Sequence, residues 1–158
     1  MLEWLESTQF SALVRSELWG WPLALAAHAL GTALVVGFIL IIGLRLLGMF
    51  TLIPYRAVSR LFPVVWAGLA LQFLSGFTLW MAKPTQYVVD GAFVLKFVLI
   101  LVGMVLTLNF YKTIDREAAS WEAKGAVSSR AVKFAAAILI VWCSVLVVGR
   151  LTAQLGSI

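Results

Sequence analysis

The chain has 158 residues, is 63% hydrophobic and 12% charged, and has a mean hydropathy of +1.02. A soluble domain carries about twice that share of charge, so a water-soluble globular fold is excluded, and four membrane crossings leave no room for a separate soluble domain. The formal net charge of +5 is concentrated in two loops, which reads as membrane orientation rather than nucleic-acid binding.

In chain order, residues 1–20 come first. The acidic start, Met1-Leu2-Glu3-Trp4, lacks the basic region of a cleaved signal peptide. Phe10, Leu13, Val14 and Leu18 recur near helical spacing among charged residues. This segment reads as an interfacial amphipathic helix lying on the membrane surface. The remainder, 21–158, reads as an all-α, integral membrane four-helix bundle. Its spans are expected at about 21–47, 61–82, 91–111 and 131–155, each near the length that crosses hydrocarbon. Pro22 suits a first helical turn, and Ser128 or Ser129 is the N-cap of the last span. The segment 114–124 is helix-compatible and continues the third span out of the membrane, stopping at Gly125. Cys143 lies alone inside the fourth span and gives neither a disulfide nor a thiolate metal motif.

Lys and Arg favour the first and third loops: Arg56 and Arg60, with Arg45 just before, and then Lys112, Arg116, Lys124, Arg130 and Lys133. The second loop offers Lys83 alone. That asymmetry makes the first and third loops cytoplasmic and both termini periplasmic, in a bacterial inner membrane. Trp4, Trp19, Trp21 and Trp80 suit the outer aromatic belt, and Tyr55 and Tyr111 the inner one.

Three ionisable residues stand out against this apolar background: His28, the only histidine, Lys96 and Arg150. Seventeen residues separate His28 from Arg45, sixteen separate Lys96 from Lys112, and seventeen separate Lys133 from Arg150. At about 1.5 Å per residue, all three sit roughly 24–26 Å from the inner boundary. Thr78 on the second span reaches the same layer, with Ser75 and Gln72 just below it. Singly, a lysine or arginine at such a depth snorkels to the headgroups. Together, on spans that hold no Asp or Glu, they describe a basic layer suited to an anionic ligand. An imidazole is a haem-iron ligand, and cations pair with haem propionates. His28 is therefore the candidate metal ligand. Lys96, Arg150, Thr78 and Gly31 are the candidate contacts, with Ala24, Ala27, Gly31 and Thr32 leaving room for a flat haem b. Gln72 and Asn109 read as interhelical hydrogen-bond glue. Trp66 and Trp142 read as buried bundle residues.

His28-x-x-Gly31, Leu44-Arg45-Leu46-Leu47-Gly48, Phe93-x-x-Lys96 and Gly149-Arg150 resemble a family of small bacterial four-helix inner-membrane proteins. More distantly, one histidine early on the first span and one lysine early on the third look like the pattern of copper-resistance CopD-like proteins and of HemJ-type protoporphyrinogen oxidases. The latter resemblance implies haem b, with His28 and Lys96 as the essential pair. Arg150 and the N-terminal segment lie outside that pattern. The expected function is a haem b-binding or redox-associated membrane protein. The alternatives are a structural or accessory subunit of a larger membrane complex, partnered with that complex or with copies of itself, and a small-anion or copper transporter.

Overall fold

A computed structural model describes residues 2–16, 18–85 and 91–155. The described chain is all-α. Its helices are α1 (Leu2–Glu6), α2 (Gln9–Ser16), α3 (Gly20–Leu46), α4 (Tyr55–Ser59), α5 (Phe62–Ala82), α6 (Gly91–Lys124) and α7 (Ser129–Leu155). Four of them, α3, α5, α6 and α7, are long and apolar enough to cross a membrane. They match the four spans expected from sequence, including the continuation of the third to Lys124.

The helix ends follow local chemistry. Pro63 occupies the first turn of α5, where its missing N–H costs nothing. Ser128 caps α7, its hydroxyl accepting the Ala131 N–H at 3.3 Å. At the end of α3, the Met49 N–H reaches the Leu44 carbonyl at 2.9 Å and the Gly48 N–H reaches Arg45 at 3.2 Å. That paired closure needs a residue with positive φ between them, and Gly48 supplies it at φ 94°.

The helices pack in the order α5, α3, α7, α6, with α4 lying against the far end of α6. Two ends can be distinguished: a loop end, where α3 turns into α5 and α6 into α7, and a terminal end, which carries α1 and α2. The largest core belongs to the loop end. It joins Ile39, Ile42 and Leu46 of α3, Phe62 and Val65 of α5, Phe110 and Ile114 of α6, and Ala135 and Ile138 of α7. Here α5 meets α6 through rings, with Phe62 4.9 Å from Tyr111 and 6.4 Å from Phe110. Away from the core, large apolar side chains face outward. Phe73 is 72% exposed, Ile140 67% and Leu74 63%. In water such surface would drive aggregation. On these four helices it is the face presented to lipid, and the chain is an integral, multi-pass membrane protein.

Several details differ from the sequence reading. The described part of the N-terminal segment forms two short helices, α1 and α2, rather than one. Val14 and Ser11 are buried, and the Ser11 hydroxyl donates to the Ala82 carbonyl at 3.3 Å. Only Phe10, Leu13 and Leu18 of the apolar set stay exposed. The Glu6 carboxylate accepts from both the hydroxyl and the N–H of Thr85, tying α1 to the end of α5. The Thr85 hydroxyl, foremost, holds the Glu6 carboxyl below its ordinary value. Partial desolvation opposes that, and the Thr85 N–H and Arg15 reinforce it.

Arg45 is not a solvated boundary charge. It is 6% exposed, donates through Nε to the Ile53 carbonyl at 2.5 Å, and lies 3.9 Å above the Tyr55 ring. Tyr55 and Tyr111 are half-buried, packed against Trp121 and Phe62. Asn109 is exposed and donates to Val105 within its own helix at 2.8 Å, so it joins no neighbour. Its long amide satisfies a nearby carbonyl because no helix packs on that face.

Candidate functional site

His28 lies on α3 and faces α5. Both ring nitrogens are engaged. Nδ1 is 3.1 Å from the Ser75 hydroxyl, and Nε2 is 2.9 Å from the Gln72 side-chain nitrogen. Ser75 donates its own proton to the Leu71 carbonyl at 2.6 Å, which leaves its oxygen as an acceptor. The Gln72 amide nitrogen can only donate. The set is satisfied by a neutral imidazole that carries its proton on Nδ1. The amide orientation is fixed in turn by Thr32, whose hydroxyl lies 3.0 Å from Gln72 Oε1 and 2.9 Å from the His28 carbonyl.

Sequence spacing builds this cluster. His28 and Thr32 are one helical turn apart on α3, and Gln72 and Ser75 one turn apart on α5. Glycine lets the two pairs meet. A Cβ on Gly31 would fall 2.9 Å from the Gln72 backbone nitrogen, so only hydrogen lets the helices approach. A Cβ on Gly76 would fall 3.1 Å from the His28 ring carbon Cε1.

Lys96 approaches from α6. Its stem lies across Gly149 of α7, with Cε 3.3 Å and Nζ 3.4 Å from where a Cβ would stand. The side chain is half-buried. Among the described residues its ammonium has no hydrogen-bond acceptor and no carboxylate partner. The structure therefore joins His28 and Gly31, two of the five residues expected at the site, through Gln72, and seats Lys96 separately against Gly149. Arg150 is exposed beside Gly149, and Thr78 turns its hydroxyl back to the Leu74 carbonyl of its own helix at 2.9 Å. Neither enters the His28 network.

An axial histidine needs a free ring nitrogen. Nδ1–H donation to Ser75 is the orientation such a ligand would use. Nε2, however, points at Gln72, in the close α3–α5 contact at Gly31. The room that small residues seemed to leave around Gly31 is filled by the Gln72 backbone and amide. In this arrangement the residues do not fit a haem on His28. Among the described residues, no three His, Cys, Asp or Glu side chains cluster as a metal site either.

A second buried polar contact links α6 to α7. The Trp142 indole N–H donates to the Thr107 hydroxyl at 3.1 Å, and Thr107 donates to the Gly103 carbonyl at 2.7 Å. The indole lies flat on Gly103, 3.2 Å from the position of a Cβ. All three are buried, so this contact fixes the depth of α6 against α7 and with it the height of Lys96. The matched pairs His28/Thr32 and Gln72/Ser75 are readable in the sequence as polar stripes at helical spacing. The roles of Gly76 and Gly149 are not, because they depend on which helix lies opposite. No protein-family model matches the chain, and neither curated proteins nor solved structures contain a match.

Proposed function

We propose that this membrane protein binds, at the terminal end of its bundle, an amphiphile whose headgroup carries an anionic oxygen, with Lys96 as the charge contact. One observation carries this reading. A half-buried ammonium stands without an acceptor among the described residues, and all seven acidic residues of the chain lie outside the crossings expected at 21–47, 61–82, 91–111 and 131–155. Holding an unpaired ammonium in such surroundings costs about 2.5–3.5 kcal/mol at mid-bilayer depth, less toward the interface. An anionic ligand offsets that cost. The excess of Lys and Arg on the two loops at the other end supports a cytoplasmic position for that end and a periplasmic position for the site, in a bacterial inner membrane.

The test is ligand retention. Wild type, Lys96→Gln and His28→Ala are purified in neutral detergent after haem-replete growth. Bound small molecules are then extracted for mass spectrometry, and visible spectra are recorded. The expected result is an anionic amphiphile that accompanies wild type and is depleted about tenfold or more in Lys96→Gln, the scale of one lost charge-assisted hydrogen bond. Equal content in both proteins refutes the reading. A Soret band lost in His28→Ala and kept in Lys96→Gln would instead make His28 an axial haem ligand, and would require Gln72 to leave Nε2.

A second reading, an accessory subunit of a larger complex, draws on α6. Its Val94, Phe97, Val98 and Val105 are all 49% exposed or more, on a helix that packs mainly along α7. Copurification from native membranes tests it, and a protein that always runs alone counts against it.

A further inference from the structure

The loop end carries a second feature, independent of the His28 cluster. Between α6 and α7 runs an open groove of about 400 Å³, lined by Leu106, Ser129, Arg130, Lys133, Phe134 and Ala137. Five of these six belong to α7. Arg130, Lys133, Phe134 and Ala137 follow one another at spacings of three, one and three residues, which keeps them on one stripe of the helix. The stripe is sorted by depth. Two cations and a hydroxyl stand at the start of the helix, and the apolar wall of Phe134, Ala137 and Leu106 continues into the membrane.

No carboxylate lines the groove. On α6, Glu117 accepts from Ser128 at 2.9 Å and from Trp121 at 3.2 Å, and Glu122 accepts the Arg56 backbone N–H at 3.4 Å. Among the described residues, neither Arg130 nor Lys133 has an ion-pair partner. The first backbone N–H groups of α7 add partial positive charge at the same place.

We infer that this groove is a binding site for one anionic phospholipid, its phosphate held between Arg130, Lys133 and the Ser129 hydroxyl and one acyl chain laid along Phe134, Ala137 and Leu106. A soluble phosphate would use the cations and leave the wall uncovered. A zwitterionic lipid would use the wall and bring its own cation to the two positive side chains. The sorted stripe matches a molecule that is anionic at the head and apolar behind it.

Native mass spectrometry of the whole protein in neutral detergent tests this, with phosphatidylglycerol, phosphatidylcholine and inorganic phosphate as probes. One phosphatidylglycerol is expected to be retained in preference to phosphatidylcholine. Millimolar inorganic phosphate is expected not to displace it. The Arg130→Gln/Lys133→Gln pair should weaken retention roughly thirtyfold, taking about one favourable contact per cation near a membrane surface. Ala137→Trp, which blocks the apolar floor and keeps both charges, should weaken it as well. Arg116→Gln/Lys124→Gln removes the same charge outside the groove and should change nothing. Both groove variants alter exposed positions, so a loss of fold would be visible as a changed melting curve, and Ala137→Trp gives a second, charge-neutral reading. Equal retention of the two lipids, or equal weakening by the two double variants, overturns the site. Displacement by inorganic phosphate would make it a soluble-anion site and overturn the lipid assignment.

Discussion

Replacing Gly31 by alanine sets a steric prediction against a propensity prediction. A Cβ at Gly31 would lie 2.9 Å from the Gln72 backbone nitrogen, 3.0 Å from its Oε1 and 3.1 Å from its Cα. Two of those atoms are backbone and cannot swing aside, so α3 and α5 must part. Overpacking of this kind costs about 1–3 kcal/mol. The separation also stretches the Gln72–His28 and Thr32–Gln72 hydrogen bonds, each worth about 0.6 kcal/mol between membrane helices. Alanine returns up to about 1 kcal/mol of helix propensity. Gly37→Ala, six residues along the same helix, supplies the control, since nothing stands within 4 Å of its Cβ position. The propensity gain cancels between the two variants, leaving Gly31→Ala about 2–4 kcal/mol less stable than Gly37→Ala. Thermal unfolding in one detergent reads that difference. Because His28 is the only histidine, a single imidazole nitrogen signal reports the network directly; it should shift in Gly31→Ala and stay put in Gly37→Ala. Equal melting temperatures and an unmoved imidazole signal in both variants would refute the close-approach argument.

Two further predictions address the ends of the bundle. The Glu6 carboxyl is held below its ordinary value of 4.5, chiefly by the Thr85 hydroxyl. A lowered folded-state value means that the docking it supports is complete above 4.5 and fades as pH falls through the lowered value. The protection factors of amides in residues 2–16, normalised to intrinsic exchange rates, should therefore be high and flat at neutral pH and fall in acid, with Glu6→Gln removing that acid step; an acid step of equal size in Glu6→Gln would contradict the assignment. Thr107→Val leaves the buried Trp142 N–H without its acceptor and should cost roughly 1–2 kcal/mol. Combined with Trp142→Phe, the two losses should fall short of their sum by about the energy of the shared bond, and strict additivity would count against a direct contact.

The four spans were legible because hydropathy and length alone decide them, and the extension of α6 to Lys124 followed from an uninterrupted helical pattern up to Gly125. The convergence of His28 with Ser75 and Gln72 was within reach from spacing: two polar residues one turn apart on each of two otherwise apolar helices form stripes that can meet. Arg45 shows where sequence logic stopped. Counted along the chain it marks a membrane boundary, yet its guanidinium is covered by the Tyr55 ring and the Ile53 carbonyl. Charge alone does not announce that a loop will fold back over its own arginine. Arg150 is exposed and Thr78 bonds its own helix, so neither joins the His28 network. Depth follows from residue number, whereas facing depends on helix rotation, which only the neighbours set.

The two N-terminal helices brace one side of the bundle alone. Ser11 is hooked to Ala82, Glu6 to Thr85, and the carbonyls of Leu13 and Val14 crowd Gly20, so the ends of α3 and α5 are stapled into one unit that carries His28. The ammonium of Lys96 rides on α6, whose seat at that end is α7. Any breathing of the assembly thus widens or narrows the gap between imidazole and ammonium while leaving the imidazole's own partners undisturbed: one jaw is fixed, and the other carries the charge.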